Sequence, residues 1–180
     1  MIFILAGGCF LAMSCEYRVM MPKFTIGLNE TQLGIAAPPF FVDTMRNCIL
    51  SRHAEMALLL GKLYKTDEAL RIGLVDELAT DKADAMAKCE KFLLNSQLAS
   101  PQARALTKMS LRGPAIQKLI DTREFDFNRF HKVITEKKAQ RNLGLFVAIL
   151  KVRRVLKALT KPFGPIMKMF GGKKKSKKSK

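Results

Sequence analysis

Two short segments of this 180-residue chain combine residue types suited to proton transfer beside a carbonyl. The first is Ala6-Gly7-Gly8-Cys9, set between an apolar run and a short helical pattern. Glycines at a strand-to-helix turn let a backbone N–H approach a ligand closely, and the helix N-terminus adds partial positive charge, so such an N–H can stabilise an oxyanion. The same glycines also suit a plain tight turn. The second is Glu30, the only carboxylate between Glu16 and Asp43, flanked by Leu28, Leu33 and Ile35 in a glycine-punctuated stretch. A carboxylate in apolar surroundings has a raised pKa and can act as a base on a weak carbon acid. A solvated loop glutamate is the competing reading. Cys9, Cys15, Cys48 and Cys89 form no CxxC pair, and His53 and His131 are the only imidazoles, so no metal site is expected. The cysteines read as reduced, mostly buried thiols of an intracellular protein.

The elements that must position these residues follow from local signals. Ile2–Leu5 reads as a short buried strand, followed by the glycine turn and a helix through about Cys15. No basic residue precedes the apolar run, which argues against a signal peptide. Residues 23–35 read as loop and short strand. Asp43 to Leu60 has the spacing of a helix, with Met45, Cys48, Ile49, Met56, Leu59 and Leu60 at core positions. Thr66 is a candidate cap for a helix over Asp67–Ile72 that Gly73 ends, and Leu74–Leu78 reads as a strand. Asp81–Leu94 places Ala85, Cys89, Phe92 and Leu93 on one side of a packed helix. Ser100-Pro101 starts another helix, and Pro114 opens a longer pattern through Ile116, Leu119, Ile120, Phe127, Phe130 and Ile134. A last helical run, LFVAILKVRRVLKAL, stops before Pro162 and Pro165.

Composition bounds the class. With 48% hydrophobic and 26% charged residues the chain can bury one core, which excludes wholesale disorder, collagen and disulfide scaffolds. The net charge of +17 is concentrated in residues 151–180, which hold twelve Lys and Arg and no acid. The high pI is therefore largely a tail property and does not argue for nucleic-acid binding by the body. The terminal KKKSKKSK reads as a solvated tail or as an anchor for an anionic membrane surface. Nucleic acid is disfavoured because aromatic interleaving is lacking. The chain divides into residues 1–110, a helical region 111–160 and the basic tail 161–180.

The segments LAGGCFLAMSCEYRVM, PKFTIGLNETQLGIAAPPFF and DEALRIGLVDEL together resemble the crotonase (enoyl-CoA hydratase/isomerase) superfamily, from about Ala6 to Ile149. The resemblance implies an α/β crotonase-like spiral fold with a helical C-terminal region, incomplete at its N-terminus by roughly a hundred residues relative to the family. It implies an acyl-CoA thioester substrate whose carbonyl sits between two backbone N–H groups, one from Gly7 in the Ala6-Gly7 turn. Glu30 would move a proton from C2 to C4, shifting a 3,4 double bond to the 2,3 position in fatty-acid β-oxidation. Related hydratases carry a second glutamate where this chain has Phe10, so the resemblance points to an isomerase. Leu33 and Pro38–Phe41 would line the acyl pocket, although phenylalanines there are equally ordinary core. No cofactor is implied beyond the coenzyme A of the substrate, and a homotrimer in the mitochondrial matrix is. The alternative is a catalytically silent fragment acting as an interaction partner through oligomer contacts or its basic tail.

Overall fold

A computed structural model describes residues 2–159; the Lys-rich tail read as a possible anchor lies outside them. In chain order the strands are β1 (Ile2–Leu5), β2 (Val19–Met20), β3 (Phe24–Gly27), β4 (Tyr64–Lys65) and β5 (Glu77–Leu78). β1 pairs in parallel with β3, with Leu5 opposite Gly27, and β4 closes the other edge of β3 in antiparallel register, Ile26 opposite Tyr64. β2 and β5 form a separate parallel ladder. The helices are α1 (Gly7–Ser14), α2 (Pro39–Cys48), α3 (Ser51–Leu60), α4 (Thr66–Arg71), α5 (Lys82–Ser96), α6 (Pro101–Thr135) and α7 (Lys137–Leu159). Cys9 and Met13 of α1, Ile26 and Leu28 of β3 and its exit, Met45 of α2 and Leu74 are fully buried together, so the core lies between the sheet and the first helices. Residues 2–140 belong to one compact unit, and a second unit begins at Arg141. Within that second unit Leu145, Ile149, Val152 and Leu156 of α7 are exposed. No described helix is long and apolar enough to cross a membrane.

Several expectations are corrected here. The helix read from Asp43 to Leu60 is two helices, because Ile49 takes an extended conformation and is buried in the core, while Pro39 at the first helical position starts α2 early. Thr66 does not cap α4; it is the first helical residue, and its hydroxyl donates to the carbonyls of Met21 (3.2 Å) and Phe24 (3.4 Å), tying α4 to β3. Leu74–Leu78 is strand only at Glu77–Leu78, since the N–H groups of Leu74 and Val75 are taken by the carbonyl of Ala69 at the end of α4. Pro114 does not open a helix but lies inside the 35-residue α6. Ser110 and Pro114 are both exposed, so the missing i+4 bond falls on the solvent side of the helix. The apolar stripes are less buried than their spacing implies: Leu93, Ile116, Ile120 and Phe127 are exposed. A helix of 35 residues is about 52 Å long at 1.5 Å per residue, more than this small core can cover. Of the cysteines only Cys9 is buried; Cys15 is exposed, and Cys48 and Cys89 are half-buried.

Candidate active site

Parallel pairing brings the carboxyl ends of β1 and β3 side by side, and the residues leaving each strand carry the chemistry. The N–H of Ala6 donates to the carbonyl of Gly27 at 3.2 Å, which locks the two exits together. Ala6 then adopts φ 50° and ψ −120°, a conformation that costs a non-glycine residue about 1–3 kcal/mol and that sets the plane of the Ala6–Gly7 peptide. Gly7 opens α1. The first intrahelical bond is from the N–H of Phe10 to the carbonyl of Ala6 (2.9 Å), so the N–H groups of Gly7, Gly8 and Cys9 precede it, and no side chain caps them. A Cβ added at Gly7 would meet nothing within 4 Å. Packing therefore does not require glycine here.

Glu30 leaves β3 at the start of a 3-10 turn, Glu30–Leu33. The turn is closed by bonds from the N–H of Gln32 to Asn29 (3.1 Å), of Gly34 to Thr31 (3.0 Å) and of Ile35 to Glu30 (3.0 Å). Glu30 is 6% exposed, and its Oε2 has no hydrogen-bond partner among the described residues. Burial raises its pKa above the ordinary carboxylate range, against a weaker opposing effect from its own backbone N–H. Cys9 sits between the two exits. Its thiol is pushed up to about 12, by burial first and then by the charge of Glu30, while the backbone of Gly27 pulls the other way. Cys9 is thus a neutral packing residue rather than a nucleophile.

Of the residues singled out in the sequence, the fold brings Glu30, Ala6 and Gly7 to one end of the sheet and places Leu33, half-buried, on the Glu30 turn. Phe10 points to a different wall. Its ring stacks on Phe41 (4.7 Å between centroids, 11° between planes) and meets Phe40 edge-on (5.2 Å, 76°). These rings and Pro38 line a cavity of about 750 Å³ with Leu119 and Phe127 of α6. A second cavity of about 570 Å³ shares Phe10, Phe40 and Leu119 and extends to Met13, Cys48 and Met109. Neither is lined by Glu30, Gly7 or Leu33. One site residue escaped the sequence reading. Asn29 is 1% exposed, and its Nδ2 has no partner among the described residues, a second buried polar atom left unsatisfied at this strand exit. Its signal was an adjacent polar pair, Asn29-Glu30, at the end of an apolar strand.

Comparison with known proteins follows the same residues. The family model described as enoyl-CoA hydratase/isomerase matches residues 3–153. The mouse protein named enoyl-CoA delta isomerase 1, mitochondrial, is 41% identical over 152 residues, which are 83% of this chain and 52% of the relative. Its human counterpart is 38% identical over 149 residues, 81% of this chain and 49% of the relative. The chain thus spans about half the length of these curated relatives. Among solved structures, human mitochondrial delta3-delta2-enoyl-CoA isomerase superposes with a TM-score of 0.78 at 36% identity, covering 83% of this chain and 58% of that one. An enoyl-CoA hydratase from Bacillus halodurans shares the fold, with a TM-score of 0.67 at 23% identity over 80% of this chain and 57% of that one.

Proposed function

Because the chain belongs to the enoyl-CoA hydratase/isomerase family and has its fold, we propose that it isomerises 3-enoyl-CoA thioesters to trans-2-enoyl-CoA. The observation that carries this reading is buried Glu30, whose Oε2 has no partner among the described residues, at the same sheet end as the uncapped first turn of α1 that Gly7 opens. The thioester oxygen accepts a hydrogen bond from Gly7, oriented by the strained Ala6 peptide. Oε2 removes a proton from C2, the electron pair delocalises over the thioester and the 3,4 double bond, and the same carboxyl returns the proton to C4. The C3–C4 double bond becomes a C2–C3 double bond, with no net gain or loss of atoms. Each oxyanion donor is worth about 3 kcal/mol of barrier. The raised pKa of Glu30 brings the base closer to the acidity of its carbon acid. Proton transfer on a thioester needs neither metal nor redox group.

Isomerisation is favoured over hydration by Phe10, whose ring is occupied with Phe40 and Phe41 and offers no carboxylate to activate water. The names of the relatives support a mitochondrial setting, and the resemblance read in the sequence supports a trimer. The test is incubation of the chain with trans-3-hexenoyl-CoA and, separately, trans-2-hexenoyl-CoA. An isomerase converts the first to the second with no change in mass, and a hydratase adds water to the second. No turnover of either by folded protein would leave the interaction-partner reading.

A further inference from the structure

Among the described residues the Oε2 of Glu30 has no hydrogen-bond partner, and the side chain leaves the backbone of a tight turn. That turn meets the C-terminal end of α3. The last carbonyls of a helix lack intrahelical donors; here Gly61 and Lys62 donate to Leu58 (3.4 Å) and Ala57 (2.8 Å), and the Glu30 turn adds two side-chain donors. The hydroxyl of Thr31 donates to the carbonyl of Leu58 at 2.6 Å, and Nε2 of Gln32 donates to the carbonyl of Leu60 at 3.3 Å. Gly61 ends α3 in the left-handed region (φ 59°), and a Cβ there would lie 2.8 Å from Cγ and 3.0 Å from the backbone N of Gln32. Helix end and turn therefore meet at close range, through the side chains of Thr31 and Gln32 and at the Gln32 backbone.

We propose that Thr31 is a positioning residue for Glu30, its hydroxyl fixing the turn to the end of α3. The inference rests on the reading of Glu30 as the base. Thr31 is exposed and lies outside the core, so its hydroxyl can be removed with little loss of packing.

The experiment compares Thr31→Val, Thr31→Ser and Glu30→Gln with the wild-type chain, using kcat and KM on trans-3-hexenoyl-CoA and carbon NMR titration of the Glu30 carboxyl. Thr31→Val is expected to lower kcat about tenfold, since small misplacements of a reacting group are costly, with KM within twofold. It also moves the Glu30 midpoint toward the ordinary glutamate value, because a loosened turn admits water. Thr31→Ser keeps the donor and stays within twofold of wild type in both readouts. Gln32→Met, which removes the longer bond, shifts both in the same direction by less and carries the test should Thr31→Val not fold. Wild-type kcat and midpoint in Thr31→Val, or equal impairment in Thr31→Ser, overturns the proposal. If wild type and Glu30→Gln turn over equally, or neither does, the base reading fails instead, and the NMR midpoints still decide the positioning role.

Discussion

Gly27 and Gly7 stand at the two strand exits that make the site, and the fold assigns them opposite responses to the same added methyl group. A Cβ at Gly27 would lie 2.5 Å from the carbonyl oxygen of Lys62, 3.1 Å from Cδ2 of Leu63 and 3.2 Å from its Cα. Ordinary contact begins at 3.4 Å, so the closest approach is short by about 0.9 Å. Two of the three atoms are backbone and cannot rotate away. Gly27→Ala must therefore push the end of β3 from the segment that follows α3, at a cost of about 1–3 kcal/mol, the range for overpacking a tight interior. The displacement falls three residues before Glu30, where a shift of about 1 Å can cost roughly 10²-fold in rate. Gly7→Ala meets nothing within 4 Å and adds a better helix former at the start of α1. Its stability is expected to match or exceed wild type by up to about 1 kcal/mol. Its turnover falls all the same, because the methyl enters the space the thioester needs. Urea unfolding followed by circular dichroism, beside turnover of trans-3-hexenoyl-CoA, reads both variants. Gly27→Ala with wild-type stability and rate, or Gly7→Ala destabilised as much as Gly27→Ala, would refute the reasoning.

Other perturbations have equally definite outcomes. Burial raises the pKa of Glu30 in the folded state, so the native protein holds that proton more tightly than the unfolded chain, and ionisation at higher pH costs stability. Glu30→Gln should therefore be more stable than wild type at neutral pH, with the gap closing below the ordinary glutamate value of 4.5; urea midpoints across pH will show this, and a gap that widens toward acid would contradict it. For the same reason the isomerisation rate should rise with pH through a midpoint above the ordinary glutamate range. Phe10→Leu removes contacts to Phe40 and Phe41 and should cost about 1–3 kcal/mol, at 0.5–1.5 kcal/mol per aromatic pair; an unchanged urea midpoint would show the ring cluster to be idle. Arg18 is bidentate to Asp76 (2.9 and 3.0 Å) and donates to Sγ of Cys48 at 3.1 Å, bridging the β5 approach and α2. Arg18→Ala should cost about 2–4 kcal/mol, somewhat below the range for a fully buried pair because Asp76 is partly exposed. Asp81→Ala loses the cap on the N–H of Asp84 (2.9 Å), worth about 1 kcal/mol, measurable as a lower thermal midpoint.

Local signals mark helix ends, as with the capping serine at 100 and the glycine stop at 73. They single out Gly7 at a strand-to-helix turn and Glu30 among Leu28, Leu33 and Ile35 only as candidates, since a plain turn and a solvated glutamate fit the same residues, and it is the family resemblance that assigns them roles. What the sequence hides is set by contacts between distant segments. That Gly7 and Glu30 share a sheet end follows from the β1–β3 register, and nothing near either residue specifies that pairing. Thr66, Ile49 and Leu74 each departed from a sound local signal because a tertiary partner took the hydroxyl, the side chain or the N–H. The stripes of α5 and α6 show the converse, since spacing reports which residues share a face and not whether anything covers it.

Proton transfer by the buried Glu30 carboxylate is tested by formation of trans-2-hexenoyl-CoA from trans-3-hexenoyl-CoA by the wild-type chain and by Glu30→Gln, each shown to be folded. Turnover by wild type with loss of at least a thousandfold in Glu30→Gln is the predicted result. Equal rates in the two, or no product from folded wild-type protein, would contradict it.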